Sequence, residues 1–211
     1  MHFTSFSQMT DVSNFIGLET DHTGGFLGAG VSFADFNGDY IDDLSFAHHS
    51  GDLRFYAGTG EETGFVEVDL DLPDYPFEAK MILWTDIDND GDQDIYVASG
   101  GNEFEEGSKG YEDRFYENKG NMIFERNKTA IPSKTISGLE VSVNDFDQDG
   151  DLDLFVGGRL SPKKYPYPAS SIILENQSTD KSVKFIDVTD QKLSALKNIG
   201  LVTTSKWIDF D

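Results

Sequence analysis

Aspartate recurs at fixed spacing in three segments of this chain. They are Asp35-Phe36-Asn37-Gly38-Asp39-Tyr40-Ile41-Asp42-Asp43, Asp86-Ile87-Asp88-Asn89-Asp90-Gly91-Asp92-Gln93-Asp94 and Asp145-Phe146-Asp147-Gln148-Asp149-Gly150-Asp151-Leu152-Asp153. A fourth copy opens at Asp209-Phe210-Asp211, where the sequence ends. Side-chain oxygens at positions one, three and five of a tight loop converge on one point. A glycine at position six permits the positive φ that turns the chain. A carbonyl at seven and a carboxylate at nine complete an oxygen shell. Ca²⁺ accepts about six to eight hard oxygens in flexible geometry, and this donor set suits it better than the smaller, water-retaining Mg²⁺. The expected ligands are Asp35, Asn37, Asp39, the Ile41 carbonyl and Asp43; Asp86, Asp88, Asp90, the Asp92 carbonyl and Asp94; and Asp145, Asp147, Asp149, the Asp151 carbonyl and Asp153. That makes about three Ca²⁺ sites, one per complete copy.

The EF-hand shares the first half of this pattern, but it requires Glu at position twelve and flanking helices. Position twelve here is Phe46, Val97 and Val156, each inside an apolar run. Asp, Asn and Gly also form ordinary turns. Three copies in phase, however, place carboxylates that would repel one another without a cation. The first copy is the weakest, with Asn37 at position three and Tyr40 where glycine is expected, a residue for which positive φ is costly.

These loops need elements to hold them. The copies begin 51, 59 and 64 residues apart, a repeat length that fits propeller blades. Before each loop stands an apolar run: residues 30–33, 81–84, 139–143 and, in the last copy, 205–208. Another follows at 44–46, 95–97 and 154–156. A third lies at 54–56, 114–116 and 172–174, and a fourth at 65–68, 122–125 and 185–188. These runs are short, aromatic or β-branched, and bounded by Gly, Asn, Asp and Pro, so they read as strands. Four strands per unit make a propeller blade. The expected fold is all-β, with blades of four antiparallel strands in an incomplete ring. Residues 1–20 read as the end of a preceding blade, 21–70, 71–130 and 131–190 as full blades, and 191–211 as the start of another. Residues 191–197 carry the one weak helical pattern. Three blades do not close a ring, since about four to eight are usual, so the remaining blades of a longer parent chain are expected partners.

Composition narrows the function. The 211 residues hold 39 Asp and Glu against 16 Lys and Arg, a formal charge of −23, with 17 Phe and no Cys. That aromatic content supports a core and argues against an acidic disordered tail. The charge repels phosphate backbones, so nucleic acid is not an expected partner. Disulfides, thiol catalysis and Cys–zinc sites are excluded. The longest uncharged run, Thr23 to Ala34, has 12 residues with four glycines, well short of the roughly 20 apolar residues of a membrane span. The N-terminus lacks the basic and apolar regions of a secretory signal. Three Ca²⁺ ions would bring the formal charge only to −17, which leaves a surface suited to cationic or neutral partners.

The Asp segments resemble FG-GAP repeats, also called VCBS repeats, of integrin-α-type β-propellers, in which the loop between the first two strands of a blade binds calcium. Ser99-Gly100-Gly101-Asn102-Glu103-Phe104, Asp113-Arg114-Phe115-Tyr116-Glu117-Asn118 and Val156-Gly157-Gly158-Arg159 are similar to bacterial relatives of the cartilage acidic protein family. The resemblance spans roughly residues 20–211. It implies a structural calcium and an extracellular or cell-surface binding or adhesion module, with no enzymatic role. The alternative is a fragment of a propeller-type polysaccharide lyase or hydrolase supported by calcium.

Strands alternate in direction, so loops after the first and second strands leave by opposite faces. Two of the latter are long, residues 99–113 and 157–171, and long loops on a rigid scaffold are where binding residues gather. The first is rich in Glu and reads most simply as a solvated acidic face. The second carries Arg159, Lys163, Lys164, Tyr165 and Tyr167, a basic and aromatic set that could receive a protein or carbohydrate ligand. Its simpler reading is a proline-stiffened loop whose tyrosines pack on the neighbouring blade. No recognised catalytic motif occurs. Of the four histidines, His2, His22, His48 and His49, the adjacent pair must split across the two faces of a strand end. Asn127-Lys128-Thr129 and Asn176-Gln177-Ser178 fit the glycosylation tripeptide, a pattern that also arises by chance.

Overall fold

The computed structural model describes residues 30–47, 53–60, 64–73, 76–134, 136–179 and 182–210. Residues 1–20, read above as the end of an earlier blade, lie outside the described residues, as do His2, His22, His48 and His49.

Among the described residues, twelve strands form three sheets of four. The first holds β1 (Val31–Ala34), β2 (Asp43–Phe46), β3 (Arg54–Gly58) and β4 (Phe65–Val68); the second holds β5 (Ala79–Thr85), β6 (Asp94–Ser99), β7 (Arg114–Asn118) and β8 (Phe124–Arg126). The third holds β9 (Ser137–Asn144), β10 (Asp153–Leu160), β11 (Ile172–Asn176) and β12 (Phe185–Asp187). Every sheet is ordered in sequence with antiparallel neighbours, each strand joined to the next by a hairpin. The arrangement is open and unclosed, an incomplete propeller. The helical pattern near residue 191 becomes a single α-turn, α1 (Thr189–Lys192), followed by a 3₁₀ turn over Ser194–Leu196.

Alternation along each strand divides its side chains between two neighbouring blades. On the second blade Ile82, Trp84, Ile95, Val97 and Tyr116 join Phe36 and Phe55 of the first blade in one core. The opposite face, with Tyr96, Ala98 and Phe115, joins Val141, Leu154, Val156 and Leu174 of the third in another. Aromatic rings fasten the first interface. Trp84 stacks on Phe36 at 5.1 Å between centroids, meets Phe55 edge-on at 5.9 Å and donates its indole N–H to Ser45 Oγ at 2.8 Å.

The repeat continues past the third sheet, with no further strand among the described residues. Trp207 stands two residues before Asp209, as Trp84 stands two before Asp86. It stacks on Phe146 at 6.1 Å and 9°, while Ser205 Oγ lies 2.8 Å from Ser142 Oγ. The residues at 205–208 read above as a strand form no strand and have no ladder pairing.

Candidate metal centre

Each Asp loop joins the first two strands of its sheet. All three have the same internal wiring, built from aspartates that accept backbone N–H groups of their own turn, as short polar side chains do in turns. Asp86 accepts from Asp90 N at 3.1 Å and Gly91 N at 3.0 Å, and Asp90 accepts from Asp92 N at 2.9 Å. In the third loop Asp145 accepts from Asp149 N and Gly150 N, both at 3.1 Å, and Asp149 from Asp151 N at 3.0 Å. In the first loop Asp35 accepts from Gly38, Asp39 and Tyr40 N at 2.8–3.1 Å, and Asp39 from Ile41 N at 2.9 Å.

This wiring leaves carboxylate oxygens of positions one, three and five facing each other. In the groups Asp86, Asp88, Asp90 and Asp145, Asp147, Asp149, one oxygen from each residue lies within 4.8 Å of the others, and either triad could hold a metal ion. In the first loop the third position is Asn37, whose amide oxygen accepts Asp39 N at 2.9 Å. One atom tests the fit to a cation directly. Asp88 Oδ1 is buried and has no hydrogen-bond donor. A buried carboxylate oxygen without a donor is costly, and a cation would satisfy it. Burial, followed by the charge of Asp90, raises the Asp88 pKa; burial and then Asp149 raise that of Asp147. Both directions are those of carboxylates gathered without a counter-charge.

The turn chemistry is richer than the single glycine suggests. Two positions of each loop, the fourth and the sixth, take positive φ: Gly38 (77°) and Tyr40 (67°), Asn89 (59°) and Gly91 (96°), Gln148 (62°) and Gly150 (101°). Each loop supplies one glycine, at position four in the first and position six in the others. Tyr40 thus adopts the left-handed backbone its position demands, with its ring 97% exposed.

The aspartates at position nine have a second duty that spacing alone does not reveal. Asp43, Asp94 and Asp153 are 0–1% exposed. One oxygen of each accepts the N–H of loop position two, from Phe36, Ile87 and Phe146 at 3.0–3.2 Å. The other accepts the N–H at the end of the third strand, from Gly58, Asn118 and Asn176 at 2.8–2.9 Å. Each carboxylate therefore ties its loop to β3, β7 or β11. It stands outside the close triads, although each oxygen keeps a lone pair for a cation. Burial pushes the pKa of Asp94 up to about 7 and that of Asp153 to about 6, with smaller contributions from neighbouring loop aspartates; Asp43 shifts the same way. Adjacent loops are also linked. Asn176 Nδ2 donates to Ile87 O at 3.1 Å, and Asn89 Nδ2 to Asp151 Oδ1 at 3.1 Å.

The other expected site lies at the opposite ends of the sheets. Arg159 belongs to β10 rather than to the loop, because β10 runs on to Leu160, pairing through bulges with Gly138 and Ser137. Gly158 permits this continuation: a Cβ there would stand 2.1 Å from Ser170 O. The rest of the loop is anchored on its neighbour. Lys163 N donates to Asn102 Oδ1 at 2.6 Å, and Lys164 Nζ pairs with Glu106. Tyr165 and Tyr167 do not pack on the adjacent blade; they are 71% and 68% exposed. The Glu-rich loop is more ordered than a solvated acidic face. Tyr111 is fully buried, sits on a 3₁₀ turn (Lys109–Tyr111), meets Phe104 edge-on, and exchanges hydrogen bonds with the Phe104 backbone, both at 2.9 Å.

A family model described as an FG-GAP-like repeat matches residues 86–156, which run from the second Asp loop into β10. No curated protein matches the sequence. The likeness therefore reaches the repeat itself and does not extend to the cartilage acidic protein relation drawn from the connecting phrases.

Proposed function

We propose that this chain is a calcium-binding FG-GAP-type propeller module that acts outside the cell or at its surface as a binding or adhesion unit, not as an enzyme. The observation that carries this reading is the convergence of Asp86, Asp88 and Asp90, and of Asp145, Asp147 and Asp149, in loops wired alike, with Asp88 Oδ1 buried and lacking a donor. Asp86, Asp88, Asp90 and Asp94 would hold one ion, Asp145, Asp147, Asp149 and Asp153 a second, and Asp35, Asn37, Asp39 and Asp43 a weaker third. The carbonyls of Ile41, Asp92 and Asp151 would complete the shells. Calcium's role is structural: it neutralises the loop and stabilises the folded state that binds it. A protein or carbohydrate ligand would meet the opposite face, where Tyr165 and Tyr167 present open rings beside Lys163 and Lys164. The match of residues 86–156 to an FG-GAP-like repeat supports the module and its extracellular setting.

Isothermal titration with CaCl₂ after exhaustive chelation tests the reading. About two tight sites and one weaker site are expected, with Asp90→Ala and Asp149→Ala each removing one tight site. Absence of saturable heat, in protein shown to be folded by circular dichroism, would overturn it.

A further inference from the structure

A second charged site lies at the ends of the sheets opposite the Asp loops. Glu112–Phe115 at the start of β7, Arg126–Lys128 at the end of β8 and Ile131–Lys134 enclose a cleft of about 110 Å³. In a chain with only 16 basic residues, four of them line this one cleft: Arg114, Arg126, Lys128 and Lys134.

Their engagements differ. Arg114 is fully buried and donates to Ser99 Oγ and, at 3.2 Å, to Glu112 O. Lys134 pairs with Asp187 at 2.8 Å. Among the described residues, no carboxylate stands within ion-pair distance of Arg126 or Lys128. The Arg126 guanidinium lies 4.6 Å from the centroid of Phe77, which also carries Arg114 at 4.6 Å. Arg126 is half-buried, with its guanidinium within cation–π reach of that ring. The two acids at the cleft are already engaged, Asp113 away from it and Glu112 on its own wall. Asp113 accepts from Tyr96 Oη and Ser99 N, both at 2.7 Å, and Glu112 Oε1 faces Ser133 Oγ at 3.4 Å.

A planar guanidinium packed on an aromatic ring, partly removed from water and with no carboxylate within ion-pair distance among the described residues, is arranged for bidentate recognition of one. The space fits a single charged group and is well below the roughly 300 Å³ of a small-molecule pocket. We infer that this cleft binds a carboxylate group carried by a partner molecule, with Arg126 as the bidentate contact and Lys128 as a second cation at the rim. The inference is independent of calcium: the cleft shares no residue with the Asp loops.

The test follows backbone amide resonances of residues 126–134 in calcium-saturated protein during titration with sodium acetate, against sodium chloride at matched ionic strength. Saturable shifts confined to these amides are expected with acetate. Affinity should fall at least about tenfold in Arg126→Ala, the scale of a lost charged hydrogen-bond pair. It should fall less in Lys128→Ala and be only partly restored in Arg126→Lys. Amide dispersion and melting temperature confirm that each variant is folded, and Lys128→Ala, on an exposed side chain, provides a second reading. Shifts that match chloride, or that survive in Arg126→Ala, would overturn the inference. Saturation by sulfate but not acetate would overturn the carboxylate assignment.

Discussion

Asp94 accepts the backbone N–H of Asn118 at 2.9 Å across 24 residues of sequence, while its second oxygen takes the N–H of Ile87 at 3.2 Å. One carboxylate thus secures both the Asp loop and the far end of β7. Asp153 repeats the arrangement with Asn176 and Phe146. The loop is therefore tied to its sheet by protein groups, and position nine does work distinct from positions one, three and five.

Substitution should separate the two roles. Asp94→Ala leaves two buried N–H groups without an acceptor and should cost about 2–4 kcal/mol even in chelated protein. Asp88→Asn removes a carboxylate whose Oδ1 has no donor and relieves repulsion with Asp90. It should leave the chelated protein's stability within about 0.5 kcal/mol yet abolish calcium-induced stabilisation at that loop. Urea melts with and without CaCl₂ read both outcomes. Equal losses for the two variants in chelated protein would refute the division.

Stability without metal should fall as pH rises. Burial lifts Asp94 to about 7 and Asp153 and Asp113 to about 6, all above the ordinary 3.8. A group whose folded pKa is raised binds more protons folded than unfolded, so its stabilising contribution is full below about pH 4 and is lost as pH climbs through 6 to 7. Asp187, lowered by its contacts with Lys134 and Thr189 against the effect of burial, acts in the opposite sense but loses its contribution only below about pH 4. Chelated protein should therefore melt at a higher temperature at pH 5 than at pH 7.5. Calcium should flatten the slope owed to Asp94 and Asp153 but not that owed to Asp113, which lies away from the loops. Melting curves across pH 4.5–8 in EDTA and in CaCl₂ check this.

Tyr40 carries a backbone angle that suits glycine, with a ring that is almost wholly exposed. Tyr40→Gly removes a left-handed strain of about 1–2 kcal/mol and adds unfolded-state freedom worth about 0.5–1 kcal/mol. A net gain of about 0.5–1 kcal/mol and tighter calcium binding at the first loop are expected. Denaturant melts and calorimetric titration of the variant measure both.

The interface of the first two blades should depend strongly on Trp84. Its ring meets Phe36, Phe55 and Phe124 and its indole N–H reaches Ser45. Trp84→Ala should cost about 3–5 kcal/mol, the range of large-to-small core substitutions. Trp84→Phe keeps most of the ring contacts and should cost less than half as much, as equilibrium denaturation would show.

The sequence alone determined the repeat, the strands and the loops, because each rests on local chemistry. Asp at alternate positions with Gly makes a tight oxygen-lined turn, and short β-branched and aromatic runs between such turns make strands whatever lies next to them. All twelve strands fall on the runs read from sequence, and the Asp triads form within single loops. Tertiary structure decided what depends on residues far apart in the chain. The anchoring of Asp43, Asp94 and Asp153 requires N–H groups 15 to 24 residues away. The positive φ shared by positions four and six follows from closing the loop onto that anchor, so a search for one glycine finds only half of it. The open rings of Tyr165 and Tyr167 follow from Lys163 and Lys164 engaging Asn102 and Glu106 of another blade. The basic cleft was not visible in sequence: Phe77, Arg114 and Arg126 have no common spacing, and the pairing of β7 with β8 brings the two arginines to the one Phe77 ring.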